Sequence, residues 1–176
     1  GMSQSRWTTK NIPDHSGRTI CITGANSGLG LEATRNLVGA GAHVILACRN
    51  VAKAEVAAQS LRAGKGSVEV RQLDLASLAS VRQFSEQLLA DGIELDGLMN
   101  NAGLMALDQS RTEDGFETQI GVNHLGHYAL TGLLLPSLMK RPNSRIVNVS
   151  SMGHIPGKIH LDDLMCDRRR YSRWGA

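Results

Sequence analysis

Aromatic residues are scarce in this chain: two Trp, two Tyr and two Phe, 3% of 176 residues. A surface that stacks successive bases on aromatic rings is therefore not expected. No apolar run approaches the ~20 residues needed to span a bilayer, so no membrane span is expected. The N-terminus has no basic start followed by an apolar stretch, and no secretory signal is read there. Gly1 before Met2 reads as the scar of a removed tag. Cysteine is sparse: Cys21, Cys48 and Cys166 show no CxxC spacing, and the first two lie in apolar runs. An odd number without a framework favours a reducing compartment, and a cytoplasmic location is the expectation. The net charge is only +3, with a pI near 9.0, too mild to indicate a nucleic-acid partner. There is no internal repeat and no low-complexity tract. A G-x-S-x-G elbow is missing as well, which disfavours a nucleophilic serine hydrolase.

What the chain does have is glycine, 19 residues of it, within 41% apolar and 20% charged residues. That composition suits one globular domain with tight turns. Its organising stretch is Thr23-Gly24-Ala25-Asn26-Ser27-Gly28-Leu29-Gly30. The apolar run Thr19–Ile22 before it reads as a buried strand, and Leu31–Val38 after it has helical spacing. Strand, glycine turn, helix is the context that gives a glycine motif meaning. One glycine allows a tight reversal, another lets a pyrophosphate approach, and the third lets the helix pack on the sheet. The helix N-terminus offers free N–H groups to an anion. A dinucleotide site is one reading of this stretch, and a turn with helix-packing glycines is the other.

The rest alternates. Residues 1–17 read as an arm with little structure of its own, and 18–176 as the domain. His43–Cys48 is a second apolar run, Val51–Arg62 an Ala-rich helix, and Ser67–Leu73 a third strand. Ser77 is a candidate cap for a helix running to Ala90, with Leu78, Val81, Phe84, Leu88 and Leu89 on one face. Gly97–Asn100 is a fourth strand. The spacing predicts one long helix over Phe116–Lys140, bent or closed near Pro136. Arg145–Val149 is a fifth strand, followed by a loop and a basic tail. Such alternation predicts an α/β fold with a parallel sheet, and ligands of such sheets lie across the strands' carboxyl ends.

Those ends carry chemistry. A site for NAD usually has an Asp or Glu after strand two, accepting from the ribose hydroxyls. Here Cys48 and Arg49 stand there. No carboxylate would repel a 2′-phosphate, and a guanidinium can clamp one, which favours NADP(H) over NAD(H). The plainer alternative is an exposed loop arginine. Asp74 could accept from an adenine amino group or cap the next helix. Asn100-Asn101-Ala102-Gly103 alone would be only a turn. Asn123 interrupts a predicted helix, as a surface residue or as the holder of a water in a proton relay. His124 and His127 are three apart and could share a helix face, but no third ligand accompanies them, and no metal site is expected. Ser151 could donate to a substrate carbonyl. The arginines at 168–170 and 173 read as a solvated loop offset by Asp162, Asp163 and Asp167 rather than a nucleic-acid patch.

Taken together, Thr23-Gly24-x-x-x-Gly28-x-Gly30, Asn100-Asn101-Ala102-Gly103, Asn123 and Ile146-Val147-Asn148-Val149-Ser150-Ser151 resemble the short-chain dehydrogenase/reductase family. The stretches Leu46–Arg49, Thr112–Glu117, Gln119–His127 and the segment around Ile159-His160 look like its retinol dehydrogenase-like branch. The resemblance implies a Rossmann-type doubly wound parallel sheet and hydride transfer between NADP(H) and a small-molecule alcohol or carbonyl substrate, possibly a lipophilic one. It implies that Gly24, Asn26, Ser27, Gly28, Leu29 and Gly30 hold the pyrophosphate and Arg49 the 2′-phosphate. Asp74 and Leu75 would hold the adenine, and Asn101, Ala102 and Gly103 would line the ribose side. Asn123 matches the family's relay Asn and Ser151 its carbonyl-orienting Ser. The family's Tyr-x-x-x-Lys does not occur in these 176 residues: Gly132 follows Tyr128 at the fourth place, and Gly175 follows Tyr171. The later strands and substrate lid are also missing, so a longer native protein with an exposed fifth strand in this piece is the expectation. The rival from another class is a non-catalytic NADP-binding sensor or scaffold. A homo-oligomer is compatible with the long helix around Asn123.

Overall fold

The computed structural model describes residues 7–174, so the reading of Gly1 as a tag scar lies outside the described residues. Five strands form one parallel sheet in the order β3-β2-β1-β4-β5. They are β1 (Thr19–Thr23), β2 (His43–Cys48), β3 (Ser67–Gln72), β4 (Gly97–Asn100) and β5 (Arg145–Asn148). The helices between them are α1 (Gly28–Gly39), α2 (Val51–Gln59), α3 (Leu78–Ala90), the single turn α4 (Thr118–Ile120) and α5 (His127–Leu138). This is the expected Rossmann-type arrangement. The strand order reverses between β1 and β4, which puts the switch point at the ends of those two strands.

Strand periodicity makes the two faces. Cys21 and Ile45 point into one core with Val81, Phe84 and Leu88 of α3 and Leu130, Leu134 and Leu138 of α5. Their neighbours Ile22, Val44 and Leu46 point the other way, onto Val38 of α1 and Ala54 and Ala58 of α2. The small alanines of α2 let that helix lie close to β2 and β3. β5 differs: it pairs with β4 on one side, and all four of its residues are exposed.

Two expectations change in detail. Residues 7–17 are a largely exposed arm that is nevertheless tied to the domain. They hold a 3-10 turn at Thr9–Asn11, His15 N donates to Ala40 O (2.8 Å), and Lys65 reaches Asp14 (2.7 Å). The long helix over Phe116–Lys140 begins only at Thr118, and Gly121–Gly126 is π-helical before α5 resumes the ordinary winding. Pro136 does not close α5, which runs on to Leu138. The arginines of the tail after β5 are offset by acidic side chains as expected, some of them far away in sequence. Arg169 pairs with Asp163 (3.3 Å), Arg173 with Asp108 (2.5 Å) and Arg111 with Asp167. Burial works against ionising Asp163, but the N–H groups of Arg169, Asp167 and Arg168 outweigh it and hold its carboxyl below the usual range.

Candidate functional site

A cleft of about 630 Å³ lies over the carboxyl ends of the strands. Gly24, Asn26, Ser27 and Leu29 wall it after β1, Cys48 and Arg49 after β2, Asp74 and Leu75 after β3, and Asn101, Ala102 and Gly103 after β4. The predicted cofactor residues therefore come together, with Gly28 and Gly30 shaping the turn rather than lining the cleft. Gly24 turns with φ of +63°, and a Cβ there would lie 2.9 Å from Ala102 Cα. Gly28 has φ of +53° and open space around it. A Cβ on Gly30 would lie 2.5 Å from both the Gly24 carbonyl and Asn101 Nδ2. Gly30 thus lets α1 approach the β4 loop, and Gly24 and Gly28 need the left-handed backbone that glycine adopts freely.

The end of β2 has no negative charge. Cys48 is buried, and burial pushes its thiol up even though the N–H groups of Ala25 and Asn26 pull it down, so it is neutral at neutral pH. Arg49 is exposed and makes no ion pair among the described residues. Lys53 lines the same wall, three residues after Asn50, whose side chain caps α2 by accepting from Lys53 N (2.9 Å). A lysine in a helix's first turn is opposed by the dipole there, so the position suits an anion nearby. Sequence reading missed Lys53; Asn50, a residue type that favours helix N-caps, is the signal that would have put it in that turn.

Asp74 does not cap α3; Ser77 does, accepting from Ser80 N (3.3 Å). Asp74 instead spends Oδ1 on Ala76 N (2.9 Å), which leaves its second oxygen without a protein donor among the described residues. Asn101 donates from Nδ2 to Thr23 O (3.0 Å) and so ties the two strand ends at the switch point. Thr23, the first residue of the glycine motif but given no role of its own from sequence, is the hub beneath them: its Oγ1 accepts from the N–H of both Asn101 and Ala102, each at 2.9 Å.

Asn123 and Ser151 stand apart from the cleft wall. Asn123 lies in the π-helical turn, where its Oδ1 accepts from Leu104 N and its Nδ2 donates to Leu104 O, both at 2.8 Å. One donor and one acceptor of its side chain thus hold the loop after β4, and its second N–H and second lone pair face outward, since Asn123 is exposed. Ser151 caps the short 3-10 turn Met152–His154 by accepting from Gly153 N (3.1 Å), and it is exposed. A hydroxyl that accepts there keeps its own proton to donate. His124 and His127 do not share a face: His127 is buried against Thr23, and His124 lies outside near the Tyr128 ring. Tyr171 is also turned inward, its hydroxyl accepting from Gln119 Nε2 (2.9 Å) and donating to Leu107 O (3.1 Å).

A cleft at the switch point, walled by a glycine turn on one side and cations on another, has the shape of a dinucleotide site. The family profile described as "short chain dehydrogenase" matches residues 18–161. Human retinol dehydrogenase 13 is 46% identical over 162 residues, covering 91% of this chain and 49% of that protein. The chain spans about half the length of the curated relatives it matches. A solved structure of an uncharacterized protein from Mycobacterium paratuberculosis superposes with a TM-score of 0.84 at 51% identity, covering 96% of this chain and 59% of that one. A metagenomic short-chain oxidoreductase in complex with NADP superposes with a TM-score of 0.71 at 29% identity, covering 80% of this chain and 66% of that one.

Proposed function

The chain belongs to the short-chain dehydrogenase family, and from that premise we propose an NADP(H)-dependent oxidoreductase that acts on a lipophilic alcohol or carbonyl compound. The observation that carries the cofactor reading is the end of β2, where a thiol kept neutral by burial replaces a carboxylate beside Arg49 and Lys53. Arg49 would clamp the 2′-phosphate through paired N–H bonds, with Lys53 as a second charge. Gly24 to Gly30 and the start of α1 would hold the pyrophosphate, Asp74 and Leu75 the adenine, and Asn101 to Gly103 the ribose side. NADP(H), when bound, supplies or takes the hydride. The NADP bound by the metagenomic relative supports this preference.

Ser151 would donate its hydroxyl proton to the substrate oxygen, with one of its two lone pairs engaged by Gly153 N. Asn123 would serve by holding the Leu104 backbone in place. The names of the retinol dehydrogenases support a long apolar alcohol or aldehyde as substrate. The three cysteines are free and buried, which supports a reducing, cytoplasmic compartment. No helix among the described residues is long and apolar enough to cross a membrane.

Fluorescence titration with NADPH and NADH, then with a long apolar aldehyde added to the NADPH complex, tests the reading. Tighter binding of NADPH, and aldehyde binding that Ser151→Ala weakens, support it. Equal affinity for the two cofactors contradicts the NADP preference. An NADPH complex indifferent to aldehydes and alcohols would favour the non-catalytic binder.

A further inference from the structure

His127 is 6% exposed and does not line the cleft, yet both of its ring nitrogens are engaged. Nδ1 lies 3.0 Å from the Asn123 carbonyl oxygen. A carbonyl only accepts, so Nδ1 carries the proton. In a neutral ring Nε2 is then an acceptor. Its partner at 2.8 Å is Thr23 Oγ1, which must therefore donate. Thr23 is itself fully buried, and its two remaining lone pairs receive the N–H groups of Asn101 and Ala102. One proton given and two accepted exhausts what a hydroxyl can do. The other acceptor within reach of Thr23 is Met99 O at 3.5 Å, too long to hold the proton well.

We propose that His127 is a positioning residue: by taking the Thr23 proton, it commits both lone pairs of that hydroxyl to the Asn101-Ala102 turn and so fixes one wall of the cleft. The inference rests on the cofactor reading of that cleft for its functional meaning, but not for its geometry. Without the imidazole, the Thr23 hydroxyl would be free to rotate towards Met99 O and would compete with its own support of the turn. Burial disfavours the charged ring, which keeps Nε2 an acceptor. A protonated ring would aim an N–H at an oxygen with no lone pair to spare. The wall matters because Gly24 packs directly on Ala102, so a shift of the turn moves the glycine loop too.

Three readouts on the 176-residue chain test this. Nitrogen-15 spectra of the His127 ring at neutral pH are expected to show Nδ1 protonated and Nε2 bare; the opposite tautomer overturns the proposal. Amide hydrogen exchange at Asn101 and Ala102 is expected to accelerate about tenfold in His127→Leu, the size of one buried hydrogen bond, with Ile22 and Leu46 unchanged. His127→Gln, whose amide oxygen can accept from Thr23, is expected to restore most of the protection, and it also serves if the Leu variant does not fold. Adding His127→Leu to Thr23→Val should cause no further acceleration. Unchanged exchange at the two amides, equal acceleration across the sheet, or additive effects in the double variant overturn the role. NADPH affinity is expected to fall in parallel with the lost protection. If the unsubstituted chain binds no NADPH, the cofactor reading fails, and the tautomer and exchange results still decide the role of His127.

Discussion

β2 and β5 are both parallel strands that end at the same face of the molecule, but they are supported very differently. β2 is flanked by β1 and β3, covered by helices on both faces, and buried from Val44 to Cys48. β5 has one neighbour, and Ile146 and Val147 are 40% and 51% exposed. At the ends of β1 and β4, the cleft wall is tied by hydrogen bonds between residues 77 to 104 positions apart, through Asn101, Thr23 and His127. Ser151 is oriented by a bond to a residue two positions away. The ends of β1 and β4 are thus held by the fold; the end of β5 is tied to Asn100 through Asn148 and Val149 N, and only the Ser151 side chain depends on its own turn. In this chain, which spans about half the length of its curated relatives, the cleft wall at β1 and β4 is buried and cross-tied while Ser151 follows the sheet's exposed edge strand.

The largest effect should come from the core of that contrast. Ile45→Ala on β2 is expected to cost about 3 kcal/mol of unfolding free energy, as a buried aliphatic truncation does. Ile146→Ala on β5 should cost less than about 0.5 kcal/mol, as exposed substitutions do. Urea titration of both variants makes the comparison, and equal losses would break it. Next, Arg49→Ala should weaken NADPH by about 2 kcal/mol, the value of a charge-assisted hydrogen bond, and leave NADH unchanged. Paired fluorescence titrations read the difference.

A smaller effect should appear with pH. Burial, the chief cause, and the nearby His124 lower the His127 pKa, while its bond to Asn123 O raises it. The unfolded chain then binds the proton more readily than the folded one. Stability from this group is complete above about pH 6.5 and declines as the pH falls from there towards the lower folded value. His127→Gln should flatten that part of a stability–pH profile, measured by thermal unfolding. Smallest of all, Ser151→Ala should change stability by less than about 0.5 kcal/mol and leave NADPH affinity as it is. A large loss of cofactor affinity would mean the two sides are not separately supported.

Much of this was legible in the sequence for a physical reason. Short apolar runs bounded by glycine mark buried parallel strands, so the five strand ends, with Arg49, Asp74 and the Asn101–Gly103 turn, could be put at one face. Hydrogen bonds that close over long separations leave no local pattern. Thr23 looks like any strand threonine, and only the fold brings Asn101 and His127 to it. The pairing of His124 with His127 on one helix face assumed ordinary α spacing. The π-helical turn before α5 rotates each residue by less, and residues three apart then point different ways. The tail's distant partners were similarly opaque, because Asp108 and Gln119, which anchor Arg173 and Tyr171, lie more than fifty positions away.

The proposed recognition of a 2′-phosphate at the end of β2 can be measured directly. Calorimetric titration of the chain with adenosine 2′,5′-bisphosphate and with 5′-AMP isolates that one group. At least about tenfold tighter binding of the bisphosphate is expected, a difference that Arg49→Ala removes and that shrinks as salt rises. Equal affinity for the two ligands, or a preference untouched by Arg49→Ala, would contradict it.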